Sequence, residues 1–184
     1  YNFRIFNIST TNEITPFESE LGQTLYQNAG KTIKKGIEFE LYSKINKNIS
    51  ANYSLTLGEY KFDEFLINEN NFSKNHIPGV PKNFQKVSIN YLTEKDLKII
   101  LGYKSVGKMY VNNSNETLIN GYNLFSLKFS KKMKLFNTNI TPFFSLDNLF
   151  NKEYFDNIRI NAFGSRFYEP APKFNYLAGL KINL

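Results

Sequence analysis

Period-two alternation, repeated along nearly the whole chain, is the feature that most restricts how this sequence can fold. Ile49, Ala51, Tyr53, Leu55 and Leu57 alternate with Ser50, Asn52, Ser54, Thr56 and Gly58, which places the apolar side chains on one face of an extended strand. Ile37, Phe39 and Leu41 oppose Glu38 and Glu40, and Val87, Ile89 and Tyr91 oppose Lys86, Ser88 and Asn90. Leu97, Ile99, Leu101 and Tyr103 share a face, as do Phe125, Leu127 and Phe129 against Leu124, Ser126 and Lys128. Ile140, Phe144 and Leu146 oppose Thr141, Ser145 and Asp147. The chain closes on Tyr176, Ala178, Leu180, Ile182 and Leu184 against Asn175, Gly179, Lys181 and Asn183. Almost nothing has helical period. The pattern predicts an all-β antiparallel fold of about eight strands.

The connections alternate in length. Short polar turns are predicted at Asn46–Asn48, Thr93–Asp96 and Lys131–Lys134, and a turn also near Glu20–Gln23. Long polar segments are predicted at Glu59–Lys82, Lys108–Asn120 and Asn151–Pro172. The first strand is read from Tyr1 to about Ile14, and the second from about Tyr26 to Ile45. That second strand is long for a membrane crossing of ~9–11 residues, so its surplus should project beyond the bilayer. Pro142, inside a predicted strand, lacks a ladder donor and should produce a bulge or a broken bond.

Two arrangements satisfy such alternation. A soluble β-sandwich hides the apolar faces in a core, whereas a membrane barrel turns them to lipid and keeps the polar faces for a wet lumen. The face bearing Glu38, Glu40, Lys86, Asn90, Lys98, Lys104, Lys128 and Asp147 would be the lumenal one. Short turns on one rim and long loops on the other fit the barrel. Tyr and Phe make up 16% of the chain, and at strand ends they could form interfacial girdles.

Other functions are poorly served. The net charge of +7 invites nucleic acid, but the lysines are spread along the chain rather than gathered on one element, so no nucleic-acid partner is expected. His76 is the only histidine and cysteine is absent. No nucleophile motif or metal-ligand spacing stands out, so neither a catalytic residue nor a bound metal or cofactor is expected. Glu38 and Glu40 read as lumenal residues balanced by lysines on neighbouring strands.

Particular motifs carry a family resemblance. Asn148-Leu149-Phe150-Asn151-Lys152-Glu153-Tyr154 leads into the last long loop, Arg166-Phe167-Tyr168-Glu169-Pro170-Ala171-Pro172 opens the last strand, and Gly179 to Leu184 ends it. Upstream lie Gln27-Asn28-Ala29-Gly30, Gly36-Ile37-Glu38-Phe39-Glu40 and His76-Ile77-Pro78-Gly79-Val80-Pro81. Their order and spacing resemble the C-terminal part of the β-barrel of TonB-dependent outer-membrane receptors. The family usually ends on an aromatic residue, and this chain ends on Leu184.

The resemblance implies a transmembrane β-barrel segment, residues 1–184 being the C-terminal part of a barrel of roughly 22 strands. The plug domain and the earlier strands would lie upstream. It implies active uptake of a scarce nutrient across the outer membrane of a Gram-negative bacterium, chiefly a ferric siderophore, with haem or cobalamin as alternative cargoes. The implied partners are outer-membrane lipid, the TonB–ExbB–ExbD system through the upstream part, and the barrel-assembly machinery, which would read Gly179, Ile182 and Leu184. His76, Tyr110, Arg159 and Arg166, in or beside long loops, are the candidate ligand contacts, because guanidinium forks suit anionic chelates. A self-contained small barrel serving as adhesin or scaffold, and a soluble β-sandwich binding module, remain as alternatives.

Overall fold

The computed structural model describes residues 1–183; Leu184 lies outside the described residues. Eight long strands form one open antiparallel meander in which each pairs with its sequence neighbours. They are β1 (Asn2–Thr11), β2 (Lys31–Lys44), β3 (Ile49–Glu64), β4 (Asn83–Leu92), β5 (Leu97–Val106), β6 (Tyr122–Lys131), β7 (Thr138–Asp147) and β8 (Asn175–Asn183). A ninth short segment, Met133–Leu135, continues the line of β6 along β7. Within the described chain β1 and β8 each pair on one side only, so the sheet does not close.

The register gathers the alternation of all eight strands onto one surface. Ile89 lies opposite both Ala51 and Leu101, Leu101 opposite Leu127, Leu127 opposite Leu146, and Leu146 opposite Tyr176. A neighbouring row runs Tyr53, Val87, Tyr103, Phe125. The reverse face carries Glu40, Ser54, Lys86 and Lys104 in one row, and Asn52, Ser88, Gly102 and Ser126 in the next. A one-residue slip anywhere would mix these two faces.

Where the hydrophobic core lies decides between the two architectures. Among the described residues no side chain on the apolar sheet face is buried: Leu101 is 43% and Ile182 55% exposed. The buried hydrophobic clusters sit instead at the long-loop rim, around Phe62 and Phe65, around Val106, Met109 and Tyr122, and around Val111, Ile119 and Phe167. A sandwich would cover the apolar face with a second sheet, and no second layer exists among the described residues.

Several expected boundaries move. Asn12 and Gly30 take left-handed φ of 57° and 66°, which breaks the two expected long strands and sets Ile14–Glu18 against Thr24–Asn28 as a separate hairpin. At Gly30 a side chain would also meet the Glu64 carbonyl. The predicted loop from Glu59 is strand as far as Glu64, because Tyr60 and Phe62 pair with Lys34 and Thr32. The turn expected at Lys131–Lys134 falls at Phe136–Asn137, with Phe136 at φ 52°. Opposite Pro142 the β6–β7 ladder lapses between Ser130↔Phe143 and Met133↔Ile140 without a register shift, so the missing donor breaks the ladder and makes no bulge. Glu38 pairs with Arg4 at 3.5 Å rather than with a lysine, since Arg4 is the residue directly across from it.

Candidate functional site in the long loops

Four long connections rise from one rim, and asparagine side chains tie them together. Asn161, at φ 53°, accepts at its Oδ1 from the Asn113 N–H (2.8 Å) and donates from Nδ2 to the Pro16 carbonyl (2.9 Å). Its own N–H donates to the Val111 carbonyl at 2.9 Å. Three loops therefore meet on one residue. Asn115 clamps the next loop: its Oδ1 accepts from the His76 N–H (2.7 Å), and its Nδ2 donates to the His76 carbonyl (2.9 Å). Asparagine suits these places because it tolerates left-handed backbone and carries both donors and an acceptor.

Asn148 closes the last loop. It is buried at φ 53° and donates from Nδ2 to the carbonyls of Lys152 (2.8 Å) and Pro172 (3.3 Å), while the Lys152 N–H donates to its Oδ1 (2.8 Å). Asn151 Oδ1 accepts from the Phe174 N–H at 3.1 Å. The Asn148–Lys152 motif thus pins the loop's start against its end. The loop also packs onto the polar sheet face. Tyr154 stands 4.5 Å from Tyr122 between ring centroids, and Asp156 lies 3.7 Å from the Lys104 ammonium.

The four expected ligand residues fall into two pairs. Arg159 and Arg166 converge on Glu18, at 3.7 and 3.6 Å, where the Glu18 side chain is only 9% exposed. Glu18 also accepts from the Phe163 N–H at 3.0 Å, and Arg159 Nε donates to Glu169 at 2.9 Å. Donation from Asn157 and the Arg159 guanidinium hold the Glu169 carboxyl below its usual range. These guanidinium groups join the last loop to the Ile14–Asn28 hairpin. Glu18 was not recognised in the sequence, since no local pattern connects residues so far apart.

His76 and Tyr110 form the other pair. Their rings stack at 5.6 Å and 13°, beside a pocket of about 150 Å³ that Tyr60, Lys82 and Lys108 also line. Burial pushes the His76 imidazole below its ordinary value, and Lys82 and Lys61 push in the same direction. Lys82 and Lys108, two further residues overlooked in the sequence, lie at the edges of predicted loops where an isolated lysine reads as solvated charge. Gly179 and Ile182 belong to neither pair and lie on β8. Ile182 faces Ile140, and the Phe143 ring fills the space that Gly179 leaves.

The family model described as TonB dependent receptor-like, beta-barrel matches residues 1–149. This chain belongs to that family. Among solved structures it is similar to the ferric preacinetobactin receptor BauA of Acinetobacter baumannii, with a TM-score of 0.76 at 16% identity over 98% of this chain and 26% of that one. The siderophore receptor PiuA of the same organism matches with a TM-score of 0.73 at 18% identity, again over 98% and 26%. The ferric yersiniabactin uptake receptor FyuA of Yersinia pestis matches at 0.66 and 20% identity, over 97% and 26%. The chain therefore spans about a quarter of the solved receptors it resembles, and these likenesses establish a shared fold. Within a TonB-dependent receptor barrel the uncovered apolar face is the lipid-facing wall, and the polar face lines the lumen.

Proposed function

We propose that this chain is the C-terminal part of the barrel wall of an outer-membrane receptor in a Gram-negative bacterium. In this reading the receptor binds a ferric siderophore at its long loops and imports it with energy delivered by TonB, ExbB and ExbD through an upstream plug-bearing part. The carrying observation is the apolar face left uncovered across all eight strands while the hydrophobic clusters gather at one rim. That distribution suits lipid on the sheet and structured loops above it. Among the described residues β1 and β8 each leave one edge unpaired, and in this reading those edges meet other strands of the barrel, because an unpaired backbone row is not tolerated in hydrocarbon.

The cargo rests on chemistry and on the neighbours. A copper transporter, OprC, shares the fold at a TM-score of 0.69 and 18% identity, so the fold by itself does not choose a cargo. This segment has no cysteine, two methionines and one histidine, which is little soft-ligand chemistry for a bare copper ion. Its excess of cations suits an anionic chelate better, and the named siderophore receptors point the same way. Nothing in these relatives supports haem or cobalamin.

The topology test uses single cysteines at Glu20, Asn70 and Lys95 in the full-length receptor. Glu20 and Asn70 should react with an impermeant thiol reagent on intact cells, and Lys95 only after lysis. Surface labelling at Lys95 alone would invert the topology. Radioiron uptake from ferric siderophores, with and without a functional tonB gene, tests the transport itself; uptake unaffected by loss of the receptor would refute it.

A further inference from the structure

We propose that the pocket walled by His76, Tyr110 and Tyr60 and flanked by Lys82 and Lys108 binds a planar aromatic acid group, one six-membered ring bearing a single negative charge. The proposal rests on the uptake reading above and names the part of an anionic chelate that this segment would grip.

Size is the first argument. The pocket measures about 150 Å³, and a cavity of roughly that volume accommodates one benzene ring. Its remaining walls include Val80 and Leu118, so a ring would lie against aliphatic as well as aromatic surface.

Charge is the second argument. Most cations near this rim are already answered: Lys31 by Asp63, Lys34 by Glu13, Lys61 and Lys35 by Glu59, Lys173 by Glu153. Lys82 and Lys108 make no ion pair among the described residues, and no carboxylate lines the pocket. Glu59, whose charge acts on His76, is engaged by Lys61 and Lys35 at 2.6 and 3.2 Å. An anion placed here would therefore meet two unpaired ammonium groups and no competing carboxylate.

Preorganisation is the third. The Asn115 side chain holds the His76 backbone from both sides, and the Gly79 N–H donates to the Tyr110 carbonyl at 2.7 Å. These bonds fix the stacked pair before any ligand arrives, which lowers the ordering cost of binding.

The test titrates benzoate, and separately its neutral isostere benzamide, into the purified full-length receptor in detergent by calorimetry. Benzoate should bind, benzamide at least tenfold more weakly, and the Lys82→Gln, Lys108→Gln double variant should lose benzoate affinity at least tenfold. Both lysines are exposed, so the variant should retain the heat-modifiable mobility of a folded barrel. Equal binding of benzamide, or unchanged benzoate affinity in the double variant, would overturn the proposal. Siderophore-dependent radioiron uptake separates the two readings: import without benzoate binding refutes the pocket alone, and benzoate binding without import refutes only the uptake reading.

Discussion

At the residue scale, the loops depend on a few asparagines whose removal strands buried partners. Asn113 is 5% exposed, and its N–H is satisfied by Asn161. Asn161→Ala should therefore destabilise the loop cluster by about 1–3 kcal/mol for the orphaned donor, with up to ~1–2 kcal/mol more for alanine in left-handed backbone. Limited proteolysis of the folded receptor should show faster cleavage between residues 107 and 121 than in wild type. Asn161→Gly should recover the backbone part alone. His76 has a pH signature of its own. Its folded pKa lies below its ordinary value, so the unfolded chain takes up the proton first as pH falls. The folded loops should thus be most stable above about pH 6.5 and lose stability from there down to the depressed folded value. His76→Gln should flatten that part of the profile, measured by hydrogen exchange of the loop amides against pH.

At the scale of elements, the strands act as two-sided surfaces, and each side has its own tolerance. Leu101 lies in the centre of the apolar face, between Ile89 and Leu127. Leu101→Arg should cost ~2–4 kcal/mol in a lipid-facing position, against ~1 kcal/mol or less for Ser54→Arg on the reverse face. Folding titrations into lipid vesicles measure the difference, and a greater loss at Ser54 would exchange the faces. Pro142 offers the opposite case. Its ladder towards β6 is interrupted while its pairing with Leu180 on β8 persists. Pro142→Val should restore one backbone bond and add about 0.5–1.5 kcal/mol, read in the same titration.

At the scale of the whole molecule, the sheet leaves one edge of β1 and one edge of β8 unpaired among the described residues. β8 presents Tyr176, Ala178, Leu180 and Ile182 on the apolar side, and its register determines which residues meet the neighbouring strand and the lipid. Deleting Ile182 to Leu184 from the full-length receptor should abolish its accumulation in the outer membrane, whereas Leu184→Phe should preserve or raise it. Immunoblots of outer-membrane fractions, normalised to synthesis, report both. Normal accumulation of the deletion would show that these residues are no assembly signal.

Read by itself, the sequence determined the strands, their faces and their order, because alternation of side chains is a local property and each short turn forces its two strands together. The apolar rows through Leu101 and Leu127 followed from spacing alone, and so did the alternation of short turns and long connections. Only the tertiary structure decided that the expected loop at Glu59 stays strand, that Arg159 and Arg166 share Glu18, and that Lys82 and Lys108 border one pocket with His76. Those facts join residues up to 148 positions apart, as Glu18 to Arg166 shows. They depend on where four loops meet in space, which no period along the chain encodes.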